Sequence, residues 1–189
     1  MKQSLSLLLV MLAVGGLSGC DQQTTETATV APTPLPPAPA PVAAPPAAPP
    51  VSSGLQNGVF TPPAESEIPK NEFGDMVLLG KNIFVNTQQY AKEYVGNGMN
   101  CANCHLDNGR KADSAPLWAA YGLYPAYRNK TGQVDTIGSR IQGCFRYSMN
   151  GKPPALDSRE MTALVTYHYW LATGAPTGVK LKGQGYLAL

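Results

Sequence analysis

Beyond residue 70 the apolar positions recur with helical period in three stretches. The first runs from about Asp75 to Tyr94, where Val77, Leu78, Ile83, Phe84, Tyr90 and Tyr94 form an imperfect apolar stripe. Gly80 in its interior costs helix stability, which predicts a close helix crossing at that point. The second runs from about Thr136 to Asn150. Asp135 is its expected cap, Ile137, Ile141, Cys144, Phe145 and Ser148 fall at helical spacing, and Gly151 with Pro153-Pro154 closes it. The third has a capping-box-like start at Asp157 and Glu160, a stripe of Met161, Leu164, Val165, Leu171 and Ala172, and a stop at Gly174 before Pro176. Phe84, Tyr167 and Trp170 are the expected contacts where the first and last helices cross.

The N-terminal part reads differently. Lys2 is followed by a mostly apolar run from Leu5 to Val14, too short to cross a membrane and built like a signal peptide over residues 1–19. Leu17-Ser18-Gly19-Cys20 then resembles the lipobox of bacterial lipoproteins. That resemblance implies cleavage before Cys20, lipidation of its sulfur, and a place on the periplasmic side of the cell membrane. Between Pro32 and Pro50 ten of nineteen residues are proline, a composition that cannot build a core, so residues 20–69 read as a disordered tether. Alternating Pro and Ala favours polyproline II, and Ala31 to Pro50 would then reach roughly 60 Å at about 3.1 Å per residue.

Residues 70–189 amount to one domain. They hold thirteen of the basic and eight of the acidic residues, a modest and unclustered excess that excludes a nucleic-acid footprint. Their chemistry centres on Cys101-Ala102-Asn103-Cys104-His105. Two thiols separated by two residues can each add to a haem vinyl group, and the histidine that follows ligates the iron. A disulfide, a zinc half-site and a thioredoxin-type pair are the competing readings. Zinc would want a second ligand pair, for which only Cys144 and His168 remain, and a thioredoxin motif would want a preceding strand where this chain looks helical. The motif therefore predicts one covalently bound haem c. With a glycine-bearing helix before it and an aromatic-rich helix near the C-terminus, the predicted fold is all-α, like a class I cytochrome c.

Other residues fall into place around that motif. Pro116 follows His105 by the interval at which cytochromes c place a proline whose carbonyl accepts the histidine's Nδ1 proton, a bond that orients the ring. Cys144, Met149 and His168 compete for the iron's other side. Methionine is the usual partner of such a haem and raises its potential, so spacing alone favours Met149. His168 lies on the terminal helix, expected to pack away from that face. Arg140 precedes Cys144 by four residues and shares its helix face, where a guanidinium favours the sulfur's anionic, iron-binding form.

The runs Asn100 to Arg110, Ser114 to Tyr121, Tyr124 to Arg128, Arg140 to Phe145 and Ser148 to Gly151, with Gly183-Gln184-Gly185-Tyr186, are similar to the haem-bearing catalytic domain of thiosulfate dehydrogenases and the related Sox cytochromes. The resemblance implies His/Cys axial ligation by His105 and Cys144. It also implies coupling of two thiosulfates into tetrathionate, with Arg140, Arg128 and Arg110 near the cysteine to hold the dianions. Members of that family carry a second haem domain, whereas this chain has one attachment motif. Either a separate redox cytochrome or respiratory acceptor is then the electron outlet, or the chain is a subunit or descendant that has kept the site for another task. The bland reading of Arg128 and Arg140 is pairing with haem propionates.

Overall fold

In the computed structural model residues 53–186 are described, so the expected signal segment, Cys20 and most of the expected tether lie outside the described residues. Along the chain run α1 (Glu72–Val85), α2 (Thr87–Tyr90), α3 (Leu106–Gly109), α4 (Leu117–Ala120), α5 (Ile137–Gly143) and α6 (Arg159–Leu171). Two antiparallel hairpins pair β1 (Gly54–Gln56) with β2 (Val59–Thr61) and β3 (Ala126–Arg128) with β4 (Gln133–Asp135). The domain is helical with two small hairpins, rather than purely α.

The α1 helix begins at Asn71, whose side chain accepts from the Gly74 N–H, and Glu72 and Asp75 place negative charge in its first turn. Its buried stripe is Val77, Gly80, Ile83 and Phe84. The α6 helix begins at Ser158, which accepts from the Met161 N–H at 3.1 Å, and buries Met161, Leu164, Tyr167, Trp170 and Leu171. The two helices cross at Gly80, where a Cβ would lie 2.0 Å from the Ala163 carbonyl oxygen and 2.8 Å from Tyr167 Cβ. Only glycine lets the backbones meet that closely, which is why a poor helix former sits mid-helix. Phe84 packs against Tyr167 at 5.7 Å between ring centres with the rings tilted by 55°, a contact expected from sequence.

The first predicted helix does not reach Tyr94. It stops at Asn86, and the short α2 that follows turns its polar groups to the segment ahead of Cys101. Thr87 is fully buried and its hydroxyl accepts from the Cys101 N–H at 3.2 Å, while Gln88 donates to the Met99 carbonyl at 2.7 Å. Those bonds between distant segments outweigh helical continuity.

The folded region also starts before residue 70. Phe60 on β2 is buried with its ring 5.5 Å from that of Trp118, and Glu65 pairs with Lys81 of α1. One buried aromatic among polar, proline-rich neighbours has no periodicity by which to be recognised.

The caps of the later helices shift by one residue from those expected. Thr136, not Asp135, caps α5, accepting from the Ser139 N–H at 3.1 Å. Ser158 likewise replaces Asp157 at α6. The carboxylate of Asp135 is engaged elsewhere, with Thr131, Gln133, Ser139 and Arg128. After Gly143 the helix widens into a π-helical turn over Cys144–Ser148, closed by the Met149 N–H on the Cys144 carbonyl at 3.0 Å. Such turns re-aim side chains and recur at functional sites.

Candidate haem-binding site

A mostly apolar cavity, with about 780 Å³ of empty space counted out to its open mouth, is walled by Phe84, Leu117, Ile141, Phe145 and Leu164. Cys101, Cys104, His105, Arg140, Cys144, Met149 and Tyr186 also line it. The attachment motif is held in a 3-10 turn, Cys101–Asn103, with Asn103 reaching back to the Asn100 N–H at 2.6 Å. His105 follows it, its ring 5.9 Å from that of Phe84.

His105 Nδ1 lies 2.6 Å from the carbonyl oxygen of Ala115. A carbonyl only accepts, so Nδ1 carries the hydrogen and Nε2 is left with a free lone pair. Burial lowers the pKa of His105, with the nearby Arg140 charge adding to the effect, so the ring is held in the neutral, ligating form. The acceptor is Ala115, one residue ahead of the expected Pro116. Pro116 is the N-cap of α4, whereas Ala115 has φ +49, a left-handed turn from which its carbonyl meets the ring.

These residues fit haem c. The cavity is lined for a flat apolar ring, two free thiols and an oriented imidazole share its wall, and Nε2 alone remains to bind metal. Among the described residues no group of three or more His, Cys, Asp or Glu is placed to hold a metal ion.

On the same wall Arg140 Nη1 donates to Cys144 Sγ at 3.0 Å. The spacing of four residues on α5 and the turn after it delivers the contact expected from sequence. Met149, the competing ligand, is buried and lines the cavity too, so the structure brings both sulfur atoms to the site.

The other two arginines are not brought to the cavity. Arg128 on β3 pairs with the buried Asp135 at 3.6 Å. Burial alone would raise the Asp135 pKa, but hydrogen bonds from Gln133, Thr131 and Ser139 and the Arg128 charge outweigh it and hold it below the usual range. Arg110 donates to the Pro62 carbonyl at 3.3 Å, beneath the N-terminal hairpin. Of the three arginines expected near the cysteine, Arg140 is the one that lines this cavity.

His168 lines the cavity as well, contrary to the expectation that its helix packs away. Its Nδ1 is satisfied by the Leu164 carbonyl at 2.7 Å, one turn back, and its ring meets the Phe84 ring edge-on. Burial pushes its pKa down to about 4. Between about pH 6.5 and about 4 the unfolded chain then binds a proton that the native chain refuses. Stability is complete above the unfolded pKa and falls as pH drops through this window, by on the order of 3 kcal/mol at 1.36 kcal/mol per pH unit. Urea unfolding of the haem-loaded protein from pH 7 to 4 is expected to show this loss, and His168→Leu to flatten the slope. Equal slopes in the two proteins would rule His168 out as the group responsible.

Sequence reasoning missed the part of Gly183–Tyr186. Their resemblance motif was visible, but not that Gly183 and Gly185 accept from the N–H groups of Asp113 and Ala115 at 2.7 and 2.8 Å.

Crossed first and last helices around an apolar cavity that carries two thiols and an oriented histidine define a c-type cytochrome domain. Residues 86–177 match the family described as SoxA/TsdA, cytochrome c domain, and a cytochrome c domain implies haem c. It is 58% identical over 133 residues to the thiosulfate dehydrogenase of Stutzerimonas stutzeri (strain A1501), covering 70% of this chain and 43% of that protein. It is 56% identical over 127 residues to the thiosulfate dehydrogenase of Thiomonas intermedia (strain K12), covering 67% and 40%. Among solved structures it resembles the thiosulfate dehydrogenase (TsdBA) of Marichromatium purpuratum in its as-isolated form, with TM-score 0.67 and 48% identity over 71% of this chain and 30% of that one. The chain thus spans less than half the length of the curated relatives it matches.

Proposed function

We propose that this chain is a periplasmic monohaem cytochrome of a thiosulfate dehydrogenase-like system, oxidising thiosulfate to tetrathionate at a haem held by His105 and Cys144. The observation that carries this reading is the Arg140 Nη1 to Cys144 Sγ bond of 3.0 Å on the cavity wall that also holds His105.

Two thiosulfate dianions must meet. Each pair of unit charges 4 Å apart repels by about 4 kcal/mol at an effective dielectric constant of 20, so a cation at the meeting point is essential. Arg140 supplies it, binding the sulfonate oxygens and orienting the outer sulfur towards Cys144. The Cys144 thiolate and one thiosulfate form an S–S bond, giving Cys144–S–S–SO₃⁻ and releasing two electrons. The second thiosulfate attacks the sulfur bonded to SO₃⁻, so tetrathionate forms and the Cys144 thiolate leaves. When bound, haem c would supply a one-electron acceptor for these electrons, with a redox cytochrome or respiratory acceptor as their outlet. Ala115 keeps the His105 ring oriented, and the apolar wall keeps water from the S–S bond.

The buried Met149 on the same wall supports a second reading, a non-catalytic carrier with His/Met ligation. Absorption and electron paramagnetic resonance spectra of the oxidised protein separate the two. A low-spin thiolate signature supports Cys144, and a far-red methionine-to-iron band defeats it in favour of Met149.

The anchor is part of the same proposal: residues 1–19 export the chain and a lipid on Cys20 holds it to the membrane. Among the described residues no helix is long and apolar enough to cross a membrane. Cys20→Ser is expected to move the protein from the membrane to the soluble periplasmic fraction. A variant that stays membrane-bound counts against the lipid.

A further inference from the structure

We propose that Gly183–Tyr186 is a positioning strap for the axial histidine, setting how strongly His105 donates to iron. The carbonyl that orients His105 belongs to Ala115, held in a left-handed turn that an alanine does not adopt unaided. The strap holds it there. Asp113 donates its N–H to the Gly183 carbonyl at 2.7 Å, Ala115 donates to the Gly185 carbonyl at 2.8 Å, and Ser114 bridges to Tyr186 between them. The Tyr186 hydroxyl reaches on to the Cys104 carbonyl at 3.5 Å, so the strap touches both ends of the proximal segment.

The strap is itself braced. Lys182 bridges to Val59 of β2, and the Gln184 side chain accepts from the Leu181 N–H at 2.8 Å. Phe60 beside Val59 packs on Trp118, whose indole N–H donates to the Arg110 carbonyl at 2.8 Å. A layered wall thus runs from the N-terminal hairpin through the strap and residues 113–115 to the histidine. The Ala115 N–H and C=O face different partners: one is pinned by the strap, and the other pins the ring. A shift of the strap therefore shifts the 2.6 Å bond at Nδ1. That bond raises the imidazole's donor strength, so a taut strap favours Fe(III) and a slack one favours Fe(II). Its sequence, two glycines in a polar stretch, suits close backbone approach and not a core.

Two changes test this in the haem-loaded full-length protein. Gly183 has φ +79, and a Cβ there would lie 2.8 Å from that of Ala112, so Gly183→Ala forces the strap outward. Nothing lies within 4 Å of a Cβ at Gly185, so Gly185→Ala is the control. A chain ending at Lys182 removes the strap altogether and keeps the proposal testable if Gly183→Ala absorbs its methyl. Spectroelectrochemistry and the ferrous iron-to-histidine Raman stretch are the readouts. Gly183→Ala or the shortened chain is expected to raise the reduction potential by about a tenfold change in the Fe(III)/Fe(II) ratio, roughly 59 mV for one electron, and to lower the stretching frequency. Gly185→Ala is expected to match the unaltered protein. Unchanged potential and stretch in both Gly183→Ala and the shortened chain overturn the proposal, as does an equal shift in the control. The inference needs only haem c on His105 and not the sulfur chemistry, so a failed thiosulfate assay leaves it standing.

Discussion

Replacing Cys144 with alanine is expected to lower thiosulfate-dependent reduction of an artificial electron acceptor by about 10³-fold or more, the scale on which loss of a covalent nucleophile is felt. Haem attachment is expected to survive, because the residues proposed to hold the group, Cys101, Cys104 and His105, lie on a separate segment of the chain. The decisive companion is Cys144→Met. A thioether there restores an axial ligand and is expected to raise the potential above that of the unaltered protein, yet it cannot form an S–S bond to thiosulfate. A catalytic thiol therefore predicts that both variants are inactive while their spectra differ. A purely electronic role predicts that Cys144→Met keeps its activity in proportion to its potential. Activity within tenfold of the unaltered protein in Cys144→Ala would sink the catalytic assignment and leave an electron carrier with Met149 at the iron.

The parts of this site that were legible in sequence are those whose chemistry demands residues close together along the chain. Cys101, Cys104 and His105 must be contiguous to reach one porphyrin, and Arg140 and Cys144 meet because four residues make one helical turn. Gly80 was legible for the same local reason: a helix former would be better there unless something packs against it. What stayed hidden was decided by partners distant in sequence. Asp135 and Asp157 each have a neighbour equally able to cap, and at Asp135 the carboxylate is claimed by Thr131, Gln133, Ser139 and Arg128. Arg110 and Arg128 looked available because Pro62 and Asp135 could not be seen beside them. The move from Pro116 to Ala115 rests on one left-handed residue, which no propensity favours for alanine. The boundary near residue 53 rests on contacts between residues distant in sequence, Phe60 with Trp118 and Glu65 with Lys81.

Arg140→Ala is the change that separates holding the substrate from tuning the sulfur. Removing one preorganised donor aimed at developing or colliding charge lowers turnover by about 10² to 10³-fold, and that loss is expected here in kcat/KM for thiosulfate. Arg140→Lys restores the charge without the planar fork, so it is expected to recover part of the binding but not the full rate. Because the attraction is electrostatic, added salt is expected to weaken the unaltered protein more than the alanine variant. The same guanidinium donates a hydrogen bond to Cys144 Sγ at 3.0 Å, drawing electron density from the sulfur. Its loss is expected to make the sulfur a stronger donor and lower the reduction potential, the opposite sign to slackening the strap behind His105. Activity lost with an unchanged potential would confine Arg140 to the substrate. A lowered potential with activity intact would confine it to the ligand and place the dianion-binding cation elsewhere. If Arg140 does both, rate and potential fall together, and one side chain couples the arrival of thiosulfate, which competes for its N–H groups, to release of the sulfur that must react.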